Sequence, residues 1–185
     1  IDLAISAISD NSGNNSFGAV YILFMNRNGL VQSHQKISNS TGNFTLPFSS
    51  QGSSFGTGLA NIGDIDGDGL PELAVGARND PDGGSQRGAV YIISPKSDGV
   101  LRRATKISNT SGNFTFPLIN ATLFGSSVAG IGDLDGDGVL DIIVGSPAYN
   151  VNGAFQNNRG GVHILFMNNL THIQRTVLIS NGTVG

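Results

Sequence analysis

The sequence repeats itself about every 70 residues, and this internal repeat limits the possible folds more than any other feature. The segment KISNSTGNFTLPF, which starts at Lys36, returns as KISNTSGNFTFPL at Lys106 with nine of thirteen residues identical. NIGDIDGDGL, which starts at Asn61, returns as GIGDLDGDGV at Gly130 with seven of ten residues identical. A period of this length indicates a structural unit that is stacked several times along the chain.

Each unit is predicted to contain four short β-strands. A third recurrent segment reads GAVYILF at Gly18, GAVYIIS at Gly88 and GVHILF at Gly161, and its Val, Ile and Tyr residues favour strands. Four antiparallel strands at a fixed period are typical of a β-propeller blade. A β-solenoid is the alternative, but its coils are much shorter than this unit. In the first complete unit, strands are predicted from Gly56 up to an acidic loop and over Leu73–Ala77, Gly88–Ser94 and Leu101–Ser108.

The limits of the repeats predict an all-β chain of about two and three-quarter propeller blades. Asp2 aligns with the acidic residue that ends each later loop, so we expect a longer parent chain whose upstream residues complete the first blade and a third acidic loop. The unpaired edge strands are expected to pair with neighbouring blades of the same chain or with other copies of it. The predicted units are a partial blade with strands 2 to 4 (1–38), two full blades (55–108 and 124–180) and two connections (39–54 and 109–123).

The composition argues against several other classes of protein. Charged residues make up 12% of the chain, with one Glu and three Lys, too few for a coiled coil or helical bundle. The longest apolar runs have about six residues, whereas a membrane-spanning helix needs about 20. The net charge of −3, without a cluster of Lys and Arg, argues against nucleic-acid binding. The absence of Cys excludes disulfides and thiolate metal sites.

Two acidic loops at equivalent positions of the repeat predict metal sites. Together they hold eight of the thirteen acidic residues, and carboxylates this close repel one another unless a cation lies between them. Carboxylates at positions 1, 3, 5 and 9 and a backbone carbonyl at position 7 converge if the loop curls, which the intervening glycines permit. The predicted ligands are Asp64, Asp66, Asp68, Leu70 and Glu72 in the first loop, and Asp133, Asp135, Asp137, Val139 and Asp141 in the second.

Oxygen ligands in a flexible loop favour Ca²⁺ over Zn²⁺ and Mg²⁺, so we predict one Ca²⁺ per complete loop, two in this chain. An EF-hand is the alternative motif, but it requires a bidentate Glu at position 12 and flanking helices. Position 12 is Val75 in the first loop and Val144 in the second, and the flanking residues favour strands. A solvated Asp-Gly turn is the remaining alternative, and the repeated acid at position 9 argues against it.

These residues resemble the FG-GAP repeat of integrin α-subunit β-propellers and of related bacterial proteins. In the first copy, Phe55-Gly56 precedes the acidic loop and Gly76-Ala77 follows it. In the second copy, Phe124-Gly125 precedes the loop and Gly145-Ser146-Pro147 follows it. The resemblance covers nearly the whole chain. It implies a propeller whose blades carry Ca²⁺ between their first two strands, away from the face that usually binds partners.

Nothing else in the sequence points to catalysis, and we expect that the chain is not an enzyme. His34, His163 and His172 do not recur with the repeat and are predicted to be solvated. No GxSxG nucleophile motif occurs in the sequence.

Two surface features remain open. A long loop between Pro147 and Gly160 is either a contact surface or a tolerated insertion, and it carries Tyr149, Phe155, Gln156 and Arg159. Eight Asn-x-Ser/Thr sequons would permit N-glycosylation in a eukaryotic secretory host. The sequons begin at Asn14, Asn39, Asn43, Asn109, Asn113, Asn120, Asn169 and Asn181.

The predicted function is that of a calcium-stabilised, extracellular or cell-surface propeller segment that serves adhesion or recognition through its surface loops. An extracellular protein or a glycan is the expected ligand, with neither nucleic acid nor a membrane span in this segment. Two alternatives stay open: a structural subunit of a surface filament or appendage, and an accessory propeller of a secreted enzyme.

Overall fold

The part of the chain that the structure describes forms three antiparallel β-sheets that follow one another along the sequence. The computed structural model describes residues 2–11, 17–44, 52–150, 159–181 and 183–184. The first sheet contains β1 (Leu3–Ala7), β2 (Ala19–Met25) and β3 (Val31–Ile37). The second sheet contains β4 (Phe55–Gly63), β5 (Glu72–Ala77), β6 (Ala89–Pro95) and β7 (Leu101–Ser108). The third sheet contains β8 (Ser127–Gly132), β9 (Asp141–Ser146), β10 (Gly161–Met167), β11 (Ile173–Ser180) and β12 (Thr183–Val184).

In every sheet, each strand pairs with the strand that follows it in the chain. This arrangement confirms the predicted all-β class, and the sheets are consistent with partial and whole propeller blades. The strand predicted over Leu101–Ser108 matches β7. The strand predicted for β5 begins one residue late, and the strand predicted for β6 begins and ends one residue early. The repeat pattern does not predict β12, a two-residue strand that pairs with β11.

The strand register corrects one detail of the repeat alignment. Gly161 begins β10 at the position that Ala89 holds in β6. Gly160, with a φ of +73°, is therefore the counterpart of Gly88, whose φ is +85°. The alignment of Gly161 with Gly88 is wrong by one residue, because two successive glycines allow either alignment.

The second sheet is buried on both faces because it lies between the other two. All six residues of β5 and six of the seven residues of β6 are buried. Side chains alternate between the two faces, as in any strand. Val75 and Tyr91 belong to a hydrophobic cluster shared with the first sheet, whereas Ala74 and Ile92 belong to a cluster shared with the third. The two cores of the molecule therefore lie between consecutive sheets.

Consecutive sheets meet where a Phe-Gly dipeptide contacts a glycine of the preceding sheet. Phe55 forms an isolated parallel bridge with Gly18, and Phe124 forms the same bridge with Gly88. A Cβ atom at Gly18 or Gly88 would lie 2.1 Å from the carbonyl oxygen of the bridging Phe, so a larger residue cannot take either position without moving the backbone. Both Phe side chains are fully buried. We call each of these contacts a joint.

Three aromatic rings pack together at each joint, with centroids 4.8–5.5 Å apart. Tilted and edge-to-face contacts at such distances add stabilisation beyond the burial of the rings themselves. The rings are Phe44, Phe55 and Tyr91 at the first joint, and Phe114, Phe124 and His163 at the second.

Replacing the glycine of a joint should destabilise the fold far more than replacing a glycine of similar backbone conformation elsewhere. Gly88→Ala places a Cβ against the Phe124 carbonyl, whereas Gly29, with a φ of +76°, has no atom within 4 Å of its would-be Cβ. Both variants carry the cost of a left-handed residue, roughly 1–2 kcal/mol. In urea unfolding, Gly88→Ala should lower the free energy of unfolding by at least about 2 kcal/mol more than Gly29→Ala does. Equal losses of stability in the two variants would contradict the conclusion that the contact between Phe124 and Gly88 requires glycine.

Candidate metal centres

The first acidic loop, residues 64–71, connects β4 to β5 and curls around the carboxylate of its first residue. Asp64 Oδ1 accepts hydrogen bonds from the N–H groups of Gly67 (2.7 Å) and Asp68 (3.1 Å). Asp64 Oδ2 accepts one from Gly69 (2.8 Å). The φ angles of Gly67 and Gly69 are +76° and +89°, and a Cβ at either would meet nothing within 4 Å. Backbone conformation, not space, is therefore the reason for glycine at both positions.

The second acidic loop, residues 133–140, connects β8 to β9 in the same conformation. Asp133 Oδ1 accepts from Gly136 (2.7 Å) and Asp137 (3.1 Å), and its Oδ2 accepts from Gly138 (2.9 Å). The two glycines have φ angles of +81° and +86°. Strands flank both loops, which contradicts the EF-hand alternative because that motif needs helices.

In each loop the carboxylates at positions 1, 3 and 9 offer oxygen atoms that all lie within 4.8 Å of one another. The carboxylate at position 5 lies outside this group and accepts the N–H of position 7 at 2.8 Å. The converging residues are Asp64, Asp66 and Glu72 in the first loop, and Asp133, Asp135 and Asp141 in the second. Positions 5 and 7 are Asp68 and Leu70 in the first loop, and Asp137 and Val139 in the second.

The carboxylate at position 9 is buried at the start of the strand that follows the loop. Glu72 and Asp141 are each 1% exposed. Asp141 accepts hydrogen bonds from the N–H groups of Leu134 (2.9 Å) and Met167 (3.0 Å). Burial raises the pKa of Glu72 above its ordinary 4.5, although the N–H of Ile65 opposes this shift. A buried carboxylate is costly without a counter-charge. A cluster of three convergent carboxylates, of which the one at position 9 is buried, is therefore suited to bind a hard cation.

Asp2 holds the equivalent place in the first sheet. The N–H of Met25 donates to Asp2 Oδ1 at 3.1 Å, as the N–H of Met167 donates to Asp141. Asp2 also precedes β1 directly, as Asp141 begins β9. The geometry thus agrees with the alignment of Asp2 with position 9.

Two arginines that the sequence pattern does not single out contact the first loop. Arg102 and Arg103 are the second and third residues of β7, whose N-terminal end lies beside this loop. Arg102 Nη2 lies 2.8 Å from Asp68 Oδ2, and Arg103 Nη2 lies 2.8 Å from Asp66 Oδ2. No local pattern signals these contacts, because they depend on the register of strands more than thirty residues apart.

A recurring polar network, also missed, lies at the other end of the strands. Tyr91 Oη donates to Asp80 Oδ2 at 2.7 Å, and Lys106 Nζ donates to Asp80 Oδ1 at 2.9 Å. Burial and then the charge of Asp80 raise the pKa of Tyr91 well above its ordinary value of 10.0, so the hydroxyl remains a donor. The signal was available, since the same trio recurs one repeat earlier as Asp10, Tyr21 and Lys36.

The third sheet replaces this polar network with packed side chains, and His163 is its central residue. The prediction that His163 is solvated is wrong: its side chain is fully buried, at the position of Tyr91. Neither ring nitrogen has a hydrogen-bond partner within the described part of the chain. Burial lowers the pKa of His163 from its ordinary 6.5 to about 4. Its neighbours are Phe114, Phe116, Phe124 and Tyr149.

The remaining candidates have different outcomes. His34 and His172 are exposed, as predicted. Tyr149, expected on an exposed loop, is 5% exposed because its ring packs edge-on against His163. Arg159 is exposed. Phe155 and Gln156 lie outside the described residues.

Two stretches of the chain, residues 55–93 and 124–165, match the family model of the FG-GAP repeat. The chain is 33% identical over 147 residues to integrin α-PS5 of Drosophila melanogaster, and this match covers 79% of this chain and 13% of that protein. It is 39% identical over 94 residues to integrin α-5 of Xenopus laevis, and 36% identical over 99 residues to human integrin α-IIb. These two matches cover 50% and 53% of this chain and 8% of each relative.

The chain thus spans about a tenth of the length of these relatives. Among the residues that the structure describes, no helix has the length and hydropathy needed to cross a membrane.

Buried His163 should make folding stability depend on pH in a specific window. The unfolded chain binds the proton with a pKa near 6.5 and the folded chain with a pKa of about 4. The contribution of His163 to folding stability is therefore complete above pH 6.5 and is lost as the pH drops toward 4. The total loss amounts to roughly 3 kcal/mol. His163→Phe should abolish this part of the pH dependence of unfolding, since Phe does not titrate.

Exposed His172 supplies the control for that measurement. His172→Gln should leave the pH dependence between 6.5 and 4 as it is in the parent protein. A His163→Phe protein whose stability still falls as steeply would show that other groups account for the acid sensitivity.

Proposed function

Since this chain is an FG-GAP repeat protein similar to integrin α subunits, we propose that it is a calcium-stabilised segment of an extracellular or cell-surface β-propeller for adhesion or recognition. The observation that carries the proposal is a pair of loops of the same conformation, in each of which three carboxylates, one of them buried, converge. Because equivalent clusters occur at the same point of successive repeats, we expect the metal to have a structural role in each repeat. The integrin α relatives support the adhesive part of the proposal.

Each loop is proposed to bind one Ca²⁺ through the residues at positions 1, 3, 5, 7 and 9. The ion supplies positive charge to carboxylates that otherwise repel one another. The chain's own part is to fix those carboxylates: backbone N–H groups hold position 1, and strand pairing holds position 9. Ca²⁺ would thereby fasten the end of one strand to the start of the next. The proposed ligands are Asp64, Asp66, Asp68, Leu70 and Glu72, and Asp133, Asp135, Asp137, Val139 and Asp141.

The blades are proposed to follow the repeats. Residues 1–38 would form part of one blade, residues 55–108 and 124–180 two complete blades, and residues 39–54 and 109–123 their connections. In this division the acidic loops lie at one end of the sheets. The loops between the second and third strands would lie at the other end and would face a protein or glycan ligand. The proposed role is non-enzymatic.

Removing calcium should lower the melting temperature of the protein. Extracellular calcium modules have dissociation constants of roughly 10⁻⁴–10⁻³ M, so about 1 mM free Ca²⁺ stabilises by roughly 0.4–1.4 kcal/mol per site through mass action. Excess chelator should remove this stabilisation in a thermal melt. The double variant Asp66→Asn with Asp135→Asn should melt at nearly the same temperature with and without Ca²⁺.

Asp98→Asn is the matched control, because Asp98 is an exposed acid in the turn between β6 and β7, outside both clusters. It should keep the full response to chelator. A melt that chelator leaves unchanged in the parent protein would refute the calcium part of the proposal. The adhesive part is tested by binding to a plate coated with an extracellular-matrix preparation, and absence of binding in excess Ca²⁺ would refute it.

A further inference from the structure

The two acidic loops share their conformation but face different side chains on the last long strand of their sheets. β7 presents Arg102 and Arg103 to the first loop. β11 presents Gln174 and Arg175 to the second, at the same register positions. Both loops have four carboxylates. Among the described residues, two guanidinium groups face those of the first loop, whereas only one faces those of the second.

At the first loop the guanidinium of Arg102 lies among the candidate metal ligands. Its Nη2 atom is 2.5 Å from Asp66 Oδ2, 2.8 Å from Asp68 Oδ2 and 3.7 Å from Glu72 Oε1. Arg103 Nη2 approaches the same Asp66 oxygen at 2.8 Å. Carboxylates at positions 3, 5 and 9 thus share one protein cation, and Asp66 is nearly covered by these contacts, with 9% of its side chain exposed.

The backbone donors near the acid at position 9 also differ between the two loops. In the third sheet Met167 donates its N–H to Asp141. Its counterpart in the second sheet is Pro95, which has no N–H to donate. The acid at position 9 there is Glu72, whose Oε1 lies near Arg102 instead. The first loop has therefore lost one backbone donor and gained a charged side chain.

At the second loop the protein supplies much weaker compensation. Gln174 Nε2, which is neutral, lies 3.4 Å from Asp137 Oδ2. Arg175 Nη2 lies 3.5 Å from Asp135 Oδ2, and 53% of its side chain is exposed. The Arg175 guanidinium also stacks on the ring of Phe166, with Cζ 3.6 Å from the ring centroid. Its contact with the loop is therefore peripheral.

We propose that Arg102 is a built-in competitor for calcium, which holds the first loop together without the metal and weakens its affinity, while the second loop depends on the metal. This inference rests on the proposed calcium binding and concerns how the two sites differ. A guanidinium and Ca²⁺ cannot both approach the same carboxylate oxygens without mutual repulsion. Calcium must displace Arg102 at the first loop, whereas at the second it meets only a neutral amide at that position.

The experiment exchanges the two residues and measures one loop at a time in the intact protein. Asp135→Asn silences the second loop, so that calorimetric titration with Ca²⁺ reports the first. Adding Arg102→Gln in that background should tighten calcium binding about three- to tenfold, in line with the loss of exposed ion pairs. The same change should lower the melting temperature in chelator, because the apo loop loses its counter-charge.

The reciprocal pair uses Asp66→Asn to silence the first loop. Adding Gln174→Arg there should weaken calcium binding at the second loop and raise the melting temperature in chelator. Arg78→Gln is the control for a general charge effect, since Arg78 is exposed beyond the other end of β5. It should change neither quantity.

The outcomes separate this inference from the proposal on which it rests. Calcium binding that Arg102→Gln leaves unchanged, together with an unchanged melt in chelator, overturns the competition and leaves the calcium sites in place. No calcium binding at either loop of the parent protein overturns both. Tighter binding with an unchanged chelator melt also overturns the competitor role, because Arg102 would then contribute nothing to the apo loop.

Discussion

The close approach of a Phe carbonyl to a glycine of the preceding sheet is the constraint on which the rest of the structure depends. It brings the sheets near enough for apolar side chains to fill the space between them, and it makes burial of the second sheet on both faces possible. The bridging Phe also begins the next unit, so one contact ends one module and positions another. The aromatic rings at each joint then exclude water from its centre.

The sequence predicts the parts of this molecule whose determinants are local and periodic. The acidic loops are local, because each carboxylate meets N–H groups within a few residues of it, and their glycines adopt the positive φ angles that the pattern demands. Strand positions follow from the repeat. Arg102 and His163 could not be placed in this way, because their surroundings are set by neighbouring strands and by the adjoining sheet. The trio containing Asp80 was within reach, since it recurs in the sequence.

Buried and clustered charge is handled in three different ways within one short chain. Two sheets pair a buried or half-buried Asp with Lys and Tyr, and the third gives up the charges and packs rings in their place. The acidic loops use neither solution fully. Their carboxylates are held by backbone groups that cannot cancel a net negative charge, and the remainder falls to arginines or to a cation from solution. Electrostatic need, more than shape, distinguishes one repeat from the next.

The likeness of the two joints also bears on how the repeats assemble during folding. Near-identical modules risk pairing out of order, with one repeat docking where another belongs. Both joints use the same bridge between a Phe and a Gly, and the polar partners of Tyr91 lie in its own repeat, so they do not distinguish one neighbouring sheet from another. The order of the sheets therefore depends on the connections along the chain: Phe55 follows the end of β3 by 18 residues, and Phe124 follows the end of β7 by 16. Each repeat thus meets its own neighbour first because the tether between them is short.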